Sequence, residues 1–106
     1  MLGDCLESIN LTIQKIQFEV ILIDNSSEDE GLASILKSYP NTLFINNSKN
    51  TGFARANNQG AKIASGDFLI FINPDTIMTE GAIESMLDYI RSDSSIGIIG
   101  PKVLNP

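Results

Sequence analysis

Apolar residues at Leu2, Leu6, Ile9, Ile13 and Ile16 recur three and four positions apart, a spacing that predicts an amphipathic helix at the start of the chain. Cys5 falls at helical spacing among them and reads as a small core residue. The pattern then changes. Val20-Ile21-Leu22-Ile23 is unbroken by polar residues and predicts a buried strand over 19–24. A polar turn follows, and Leu32, Ile35 and Leu36 predict a short helix over 31–38, broken at Pro40-Asn41. Residues 42–45 read as a short strand, and 53–64, rich in alanine, as a helix ending near Ser65-Gly66. The run Phe68-Leu69-Ile70-Phe71-Ile72 predicts a second strand buried on both faces, over 67–72. Thr79 is placed to cap a helix over 80–91, with Glu80 in its first turn and Arg91 in its last. Residues 96–99 predict a final short strand before Gly100-Pro101.

Strands alternate with helices throughout, so the fold class expected is α/β with a mostly parallel sheet and right-handed crossovers. At 106 residues the chain has room for one small domain. Its net charge of −6 leaves no basic stripe to neutralise a phosphate backbone, which argues against nucleic acid as a partner. The single cysteine excludes an internal disulfide. The absence of histidine excludes a histidine base and every histidine-containing zinc site. No stretch is long enough to span a bilayer and the N-terminus has no signal-peptide pattern, so the compartment expected is the cytoplasm.

Three segments could carry chemistry. Asp24-Asn25-Ser26-Ser27 follows a buried strand, where α/β sheets bind ligands. Its carboxylate could accept from a base or ribose, or the segment could satisfy turn amides alone; the residues leave both readings open. Asn50-Thr51-Gly52-Phe53-Ala54-Arg55-Ala56-Asn57-Asn58-Gln59-Gly60 opens a helix with small and polar side chains. Glycine allows close backbone approach there, and Arg55 is the only cation in that turn, able to pair with a diphosphate. The alternative is a capped helix with an amide-rich exposed face. Neither a Gly-x-Gly-x-x-Gly fingerprint nor a Walker loop is present. Asn73-Pro74-Asp75-Thr76 sets a carboxylate on a proline-stiffened turn beyond the second apolar run. A hard divalent ion bound to a nucleoside diphosphate takes one or two carboxylates from protein, which Asp75 could supply. A type I turn with no ligand is the other reading.

In order and spacing, residues 20–29, 50–60, 66–76, 80–83 and 97–106 resemble family 2 glycosyltransferases of the GT-A fold, most closely the rhamnosyltransferase-like branch. The resemblance runs from about Asp4 to the end. It implies a Rossmann-like three-layer α/β/α fold, here as a single partial domain over 1–106. It also implies a nucleotide-diphosphate sugar as partner and Mg²⁺ or Mn²⁺ as cofactor. Asp24, with Asn25 and Ser26, would contact the nucleotide, and Asn50, Gly52, Arg55 and Asn57 would line its diphosphate side. Asn73 and Asp75 would replace the family's Asp-x-Asp motif, with Asp75 on the metal; Asn73 departs from the acid usual there. By the same likeness the chain lacks the family's first strand and the acceptor half that carries the catalytic base, so no catalytic residue is assigned.

The activity implied is glycosyl transfer to a saccharide or lipid-linked acceptor in cell-wall or polysaccharide biosynthesis, at the inner face of the membrane where the acceptor is lipid-linked. The chain alone would bind donor weakly and transfer little. The alternative is a non-catalytic module whose open sheet edges take a second copy or a strand-completing partner.

Overall fold

The computed structural model describes residues 1–27 and 31–104. The chain folds as two compact units, one of Gln17–Asn73 and one of Met1–Ile16 with Pro74–Pro106.

In the 17–73 unit, β1 (Ile21–Asp24) and β2 (Leu43–Asn46) pair in parallel, in register from Ile21 opposite Leu43 to Asp24 opposite Asn46. Parallel strands need a crossover, and α2 (Leu32–Ser38) supplies it, with Gly31 as its N-cap. The ladder continues past both ends: the Leu43 N–H donates to the Val20 carbonyl at 2.9 Å, and the Asn47 N–H to the Asp24 carbonyl at 2.9 Å. Next comes α3 (Phe53–Ile63), which packs on β1. At Gly60 a Cβ would stand 3.0 Å from Ile23 Cδ1 and 3.7 Å from Ile21 Cγ2. A glycine is what lets this helix lie so near the strand. Beyond α3, the Glu19 carboxylate accepts from the Ser65 N–H at 2.7 Å and the Ser65 hydroxyl at 3.1 Å, tying the helix exit to the approach to β1.

The second unit is built on α1 (Leu2–Thr12) and α4 (Ala82–Ser92). Cys5, Leu6, Ile9, Ile13 and Ile83 are its buried apolar residues, so the apolar spacing at the N-terminus does mark a core-facing stripe. Ile16 lies beyond the helix, because Ile13 turns to extended backbone (φ −96°, ψ 100°).

Three expectations are corrected. Residues 67–72 form no strand: 66–68 bend, and Leu69, Ile70 and Phe71 are 50%, 52% and 59% exposed. An apolar run records a tendency to be buried, but a strand exists only where a neighbouring backbone completes its ladder. Among the described residues the sheet contains β1 and β2 alone. Residues 96–99 form no strand for the same reason, with Ile98 94% exposed. Finally, the last helix begins at Ala82, not at residue 80, and the Thr79 side chain does not cap it. Gly81 is the N-cap, in left-handed backbone (φ 78°, ψ −7°), and the Thr79 carbonyl accepts from the Ala82 N–H at 3.2 Å. Glu84 therefore replaces Glu80 as the first-turn acid, while Arg91 stays in the last turn.

The class remains the one expected: an α/β chain with an all-parallel sheet and, among the described residues, four helices.

Candidate functional site

Both parallel strands end at the same rim, and the polar segments that follow them meet there. Asn25, the first residue after β1, is the hub. Its Oδ1 accepts from the Thr51 N–H at 2.9 Å and the Thr51 hydroxyl at 3.1 Å. Its Nδ2 donates to Asn50 Oδ1 at 2.8 Å and, at a longer 3.4 Å, to the Gly52 carbonyl. Asn50 Oδ1 also accepts from the Gly52 N–H at 2.9 Å. The loop after β1 and the entry to α3 are thereby held as one surface. Asp24, Asn25, Ser26, Asn50 and Gly52, singled out in the sequence separately, come together.

The backbone of this surface is special at two points. Gly52 has φ 88° and ψ 159°, a conformation essentially closed to residues with a Cβ. Ser26 has φ 66°, left-handed for a non-glycine residue. Next to Ser26, Asp24 Oδ1 accepts from the Ser27 N–H at 2.8 Å, and among the described residues no hydrogen bond reaches its second carboxylate oxygen. Strained backbone is found where surrounding bonds over-determine it, and here the Asn25 hub supplies those bonds. Glu28, Asp29 and Glu30 lie outside the described residues.

Arg55 and Asn57 do not share a face. Two residues along a helix is a rotation of about 200°. Arg55 is exposed on the stripe with Asn58, Gln59, Lys62 and Ile63, which lines an open depression of about 410 Å³. Asn57 is half-buried on the other side of the helix. A second cation, Lys62, thus accompanies Arg55, and the sequence reading had not singled it out.

Asp75 belongs to the other unit. Pro74 and Asp75 form a turn, and the chain after it is fastened to α1. The Met78 N–H donates to Ser8 Oγ at 2.9 Å, and the Ser8 hydroxyl donates to the Cys5 carbonyl at 2.7 Å. The Thr76 N–H donates to the Cys5 sulfur. Burial pushes the Cys5 thiol pKa up, and the nearby negative charge of Asp75 pushes it the same way. The N-terminal ammonium and the Thr76 bond oppose that rise. Asp75 itself is exposed, as is Asn73 before it. Among the described residues no three carboxylate or cysteine side chains gather as a metal cage. One exposed carboxylate on a pinned turn suits an ion whose remaining ligands come from a diphosphate and water.

Sequence reasoning missed Asn47 and Gln59, which pair side chain to side chain beside the hub. It also missed Ser8 as the anchor of the 76–78 segment.

The chain is similar in sequence to several known proteins. Minor teichoic acid biosynthesis protein GgaB of Bacillus subtilis (strain 168) is 32% identical over 92 residues, covering 83% of this chain and 10% of the relative. Poly(ribitol-phosphate) beta-N-acetylglucosaminyltransferase TarP of Staphylococcus aureus (strain N315) is 30% identical over 95 residues, 87% of this chain and 29% of the relative. Poly-beta-1,6-N-acetyl-D-glucosamine synthase of Staphylococcus aureus (strain COL) is 32% identical over 91 residues, 82% of this chain and 22% of the relative. The chain therefore spans less than a third of the length of these relatives. No solved structure matches it. No helix among the described residues is long and apolar enough to cross a membrane. The family model for Glycosyl transferase family 2 matches residues 1–104, and the chain belongs to that family, with its Rossmann-like α/β fold.

Proposed function

We propose that the rim formed by Asp24–Ser26 and Asn50–Gly52 binds the nucleotide portion of a nucleotide-diphosphate sugar. The observation that carries this reading is the Asn25 hub, which joins the end of β1 to the entry of α3 through bonds of 2.8 to 3.1 Å. It builds an amide-rich surface where parallel sheets take ligands, beside an Asp24 oxygen that takes no hydrogen bond from the described residues. Asp24 would accept from the base or ribose, with Asn25 and Ser26 holding the surface around it. Asn50 and Gly52 would face the phosphates, and Arg55 would neutralise part of their charge, with Asn73 as an additional polar contact; Asn57, on the other side of α3 from Arg55, is dropped from that set.

Asp75, in the other unit, would hold Mg²⁺ or Mn²⁺, an ion that supplies positive charge for phosphate oxygens. The reaction class is glycosyl transfer to a saccharide or lipid-linked acceptor. An acceptor hydroxyl loses its proton to a base and attacks the anomeric carbon, and the nucleoside diphosphate leaves with the electron pair of the broken C–O bond. Names of relatives that concern teichoic acid and poly-beta-1,6-N-acetyl-D-glucosamine favour a cell-wall or polysaccharide acceptor; transfer at the cytoplasmic face of the membrane is part of the same proposal.

Calorimetric titration with UDP, dTDP and GDP, with and without Mn²⁺, tests the reading. Saturable heat with one nucleotide, lost in Asp24→Ala, is expected. Absence of heat with all three would refute it.

A second reading has its own observation. Phe68, Leu69, Ile70 and Phe71 are 41% to 59% exposed in succession, a run that would be covered if a strand from another chain paired with it. In that case the chain acts as a non-catalytic module that completes its sheet by association. Sedimentation that shows a monomer at all concentrations would exclude it.

A further inference from the structure

Behind the Asn25 hub stands a pair of amides that the proposed donor contacts do not include. Asn47, just after β2, and Gln59, on α3, bond reciprocally: Asn47 Nδ2 donates to Gln59 Oε1 at 2.9 Å, and Gln59 Nε2 donates to Asn47 Oδ1 at 3.1 Å. The same Asn47 Nδ2 reaches Asn25 Oδ1 at 3.4 Å, a longer contact. These side chains are part-buried, whereas the bonds Asn25 makes to Asn50 and Thr51 are exposed.

The direction of every amide in this chain of bonds is determined. The Thr51 backbone N–H can only donate, so the Asn25 atom that receives it is the oxygen. The Asn47 atom facing that oxygen must then be the nitrogen, and the Gln59 atom facing that nitrogen must be an oxygen. Order runs unbroken from the half-covered α3 pair to the exposed Thr51-Gly52 backbone.

We propose that Asn47 and Gln59 are positioning residues: their reciprocal amide pair orients Asn25, and through it presets the Asn50–Gly52 segment for the donor nucleotide. The proposal rests on the reading of that rim as the nucleotide site. A preset rim binds with less ordering cost than one that must be assembled around its ligand. The residues act through Asn25 and need not touch the donor.

Asn47→Asp is the direct test, because it keeps the shape but sets an acceptor against Asn25 Oδ1 and Gln59 Oε1. Hydrogen exchange of the ligand-free chain should show the Thr51 and Gly52 amides opening about three- to tenfold faster, the factor that one lost hydrogen bond gives. Amides of the β1–β2 ladder should be unchanged. Gln59→Glu, which keeps the bond to Oε1 and sets an acceptor only against Asn47 Oδ1, away from Asn25, should have a smaller effect. The double exchange Asn47→Gln with Gln59→Asn conserves the summed length and should restore protection. Affinity for the nucleotide that the parent chain binds, read by calorimetry with Mn²⁺, should fall with Asn47→Asp and recover in the double exchange.

Unaltered exchange at Thr51 and Gly52, or no recovery in the double exchange, would overturn the positioning role. So would equal nucleotide affinity in parent and Asn47→Asp. A parent chain that binds none of UDP, dTDP and GDP would instead remove the site assignment itself, and the proposal with it.

Discussion

Replacing Gly52 by alanine isolates backbone strain from every other effect. A Cβ at this position meets nothing within 4 Å, so no steric clash contributes. The Gly52 N–H keeps its bond to Asn50 Oδ1, because alanine has the same donor. What remains is conformation: φ 88° with ψ 159° lies where non-glycine residues pay about 1–3 kcal/mol. Alanine restricts the unfolded chain and returns about 0.4–1 kcal/mol of that. Taking the middle of each range, the net loss is about 1.3 kcal/mol, with about 4–8 °C of melting temperature lost for each kcal/mol.

Gly3 is the matched control. It too has open space around its missing Cβ, but it lies within α1 in ordinary helical backbone. Gly3→Ala should gain up to about 1 kcal/mol, since glycine is a poor helix residue. Urea unfolding followed by circular dichroism, extrapolated linearly to zero denaturant, measures both. Opposite signs at two equally open glycines are expected. A Gly52→Ala chain as stable as the parent would show that the Asn50–Gly52 segment is not held as described, and would undo the account of the rim.

Further outcomes follow from the same structure. Ser8→Ala strips the Met78 N–H of its acceptor in a part-buried position and should cost about 1–3 kcal/mol, with the amides of residues 76–78 exchanging faster; unchanged exchange there would refute the anchor. Cys5 is 3% exposed with its thiol pKa raised, so iodoacetamide at pH 7.5 should modify it only as fast as the unit opens, and a rate equal to that of the urea-unfolded chain would contradict its placement. The stability this burial gives is fully present below the ordinary thiol pKa and is lost as pH rises through the raised one. Asp93 titrates below its ordinary value because the Ser95 hydroxyl and N–H donate to it. Its contribution is present above the unfolded value and is lost as pH falls through the depressed one; Ser95→Ala should raise the midpoint seen by NMR, and an unmoved midpoint would refute the cause. Gly60→Val must displace Ile23 and should cost about 1–3 kcal/mol, whereas a neutral result would mean that α3 stands off β1.

Elements written in local pattern were legible from the sequence. The spacing of Leu6, Ile9 and Ile13 marks one helical face, and all three are buried. The unbroken run before Asp24 marks β1, and Gly52 stands at the entry to α3, as the segment around it suggests. Elements that depend on a distant partner were not. Residues 67–72 and 96–99 have the composition of strands, but composition cannot supply the second backbone that makes a ladder. The start of α4 was misread because a left-handed Gly81 outweighs the capping tendency of Thr79. The rim was half legible. Asn25, Asn50 and Gly52 stood out by residue type, but Asn47 and Gln59 have no periodic or motif signal, and only the parallel register of β1 and β2 brings them within reach of the hub.

Chemical-shift mapping of the ¹⁵N-labelled chain, titrated with the nucleoside diphosphate it binds, addresses the nucleotide site most directly. The amides of Asn25, Ser26, Thr51 and Gly52 should move together, saturating with one dissociation constant. Shifts that saturate elsewhere while these four stay still would contradict it.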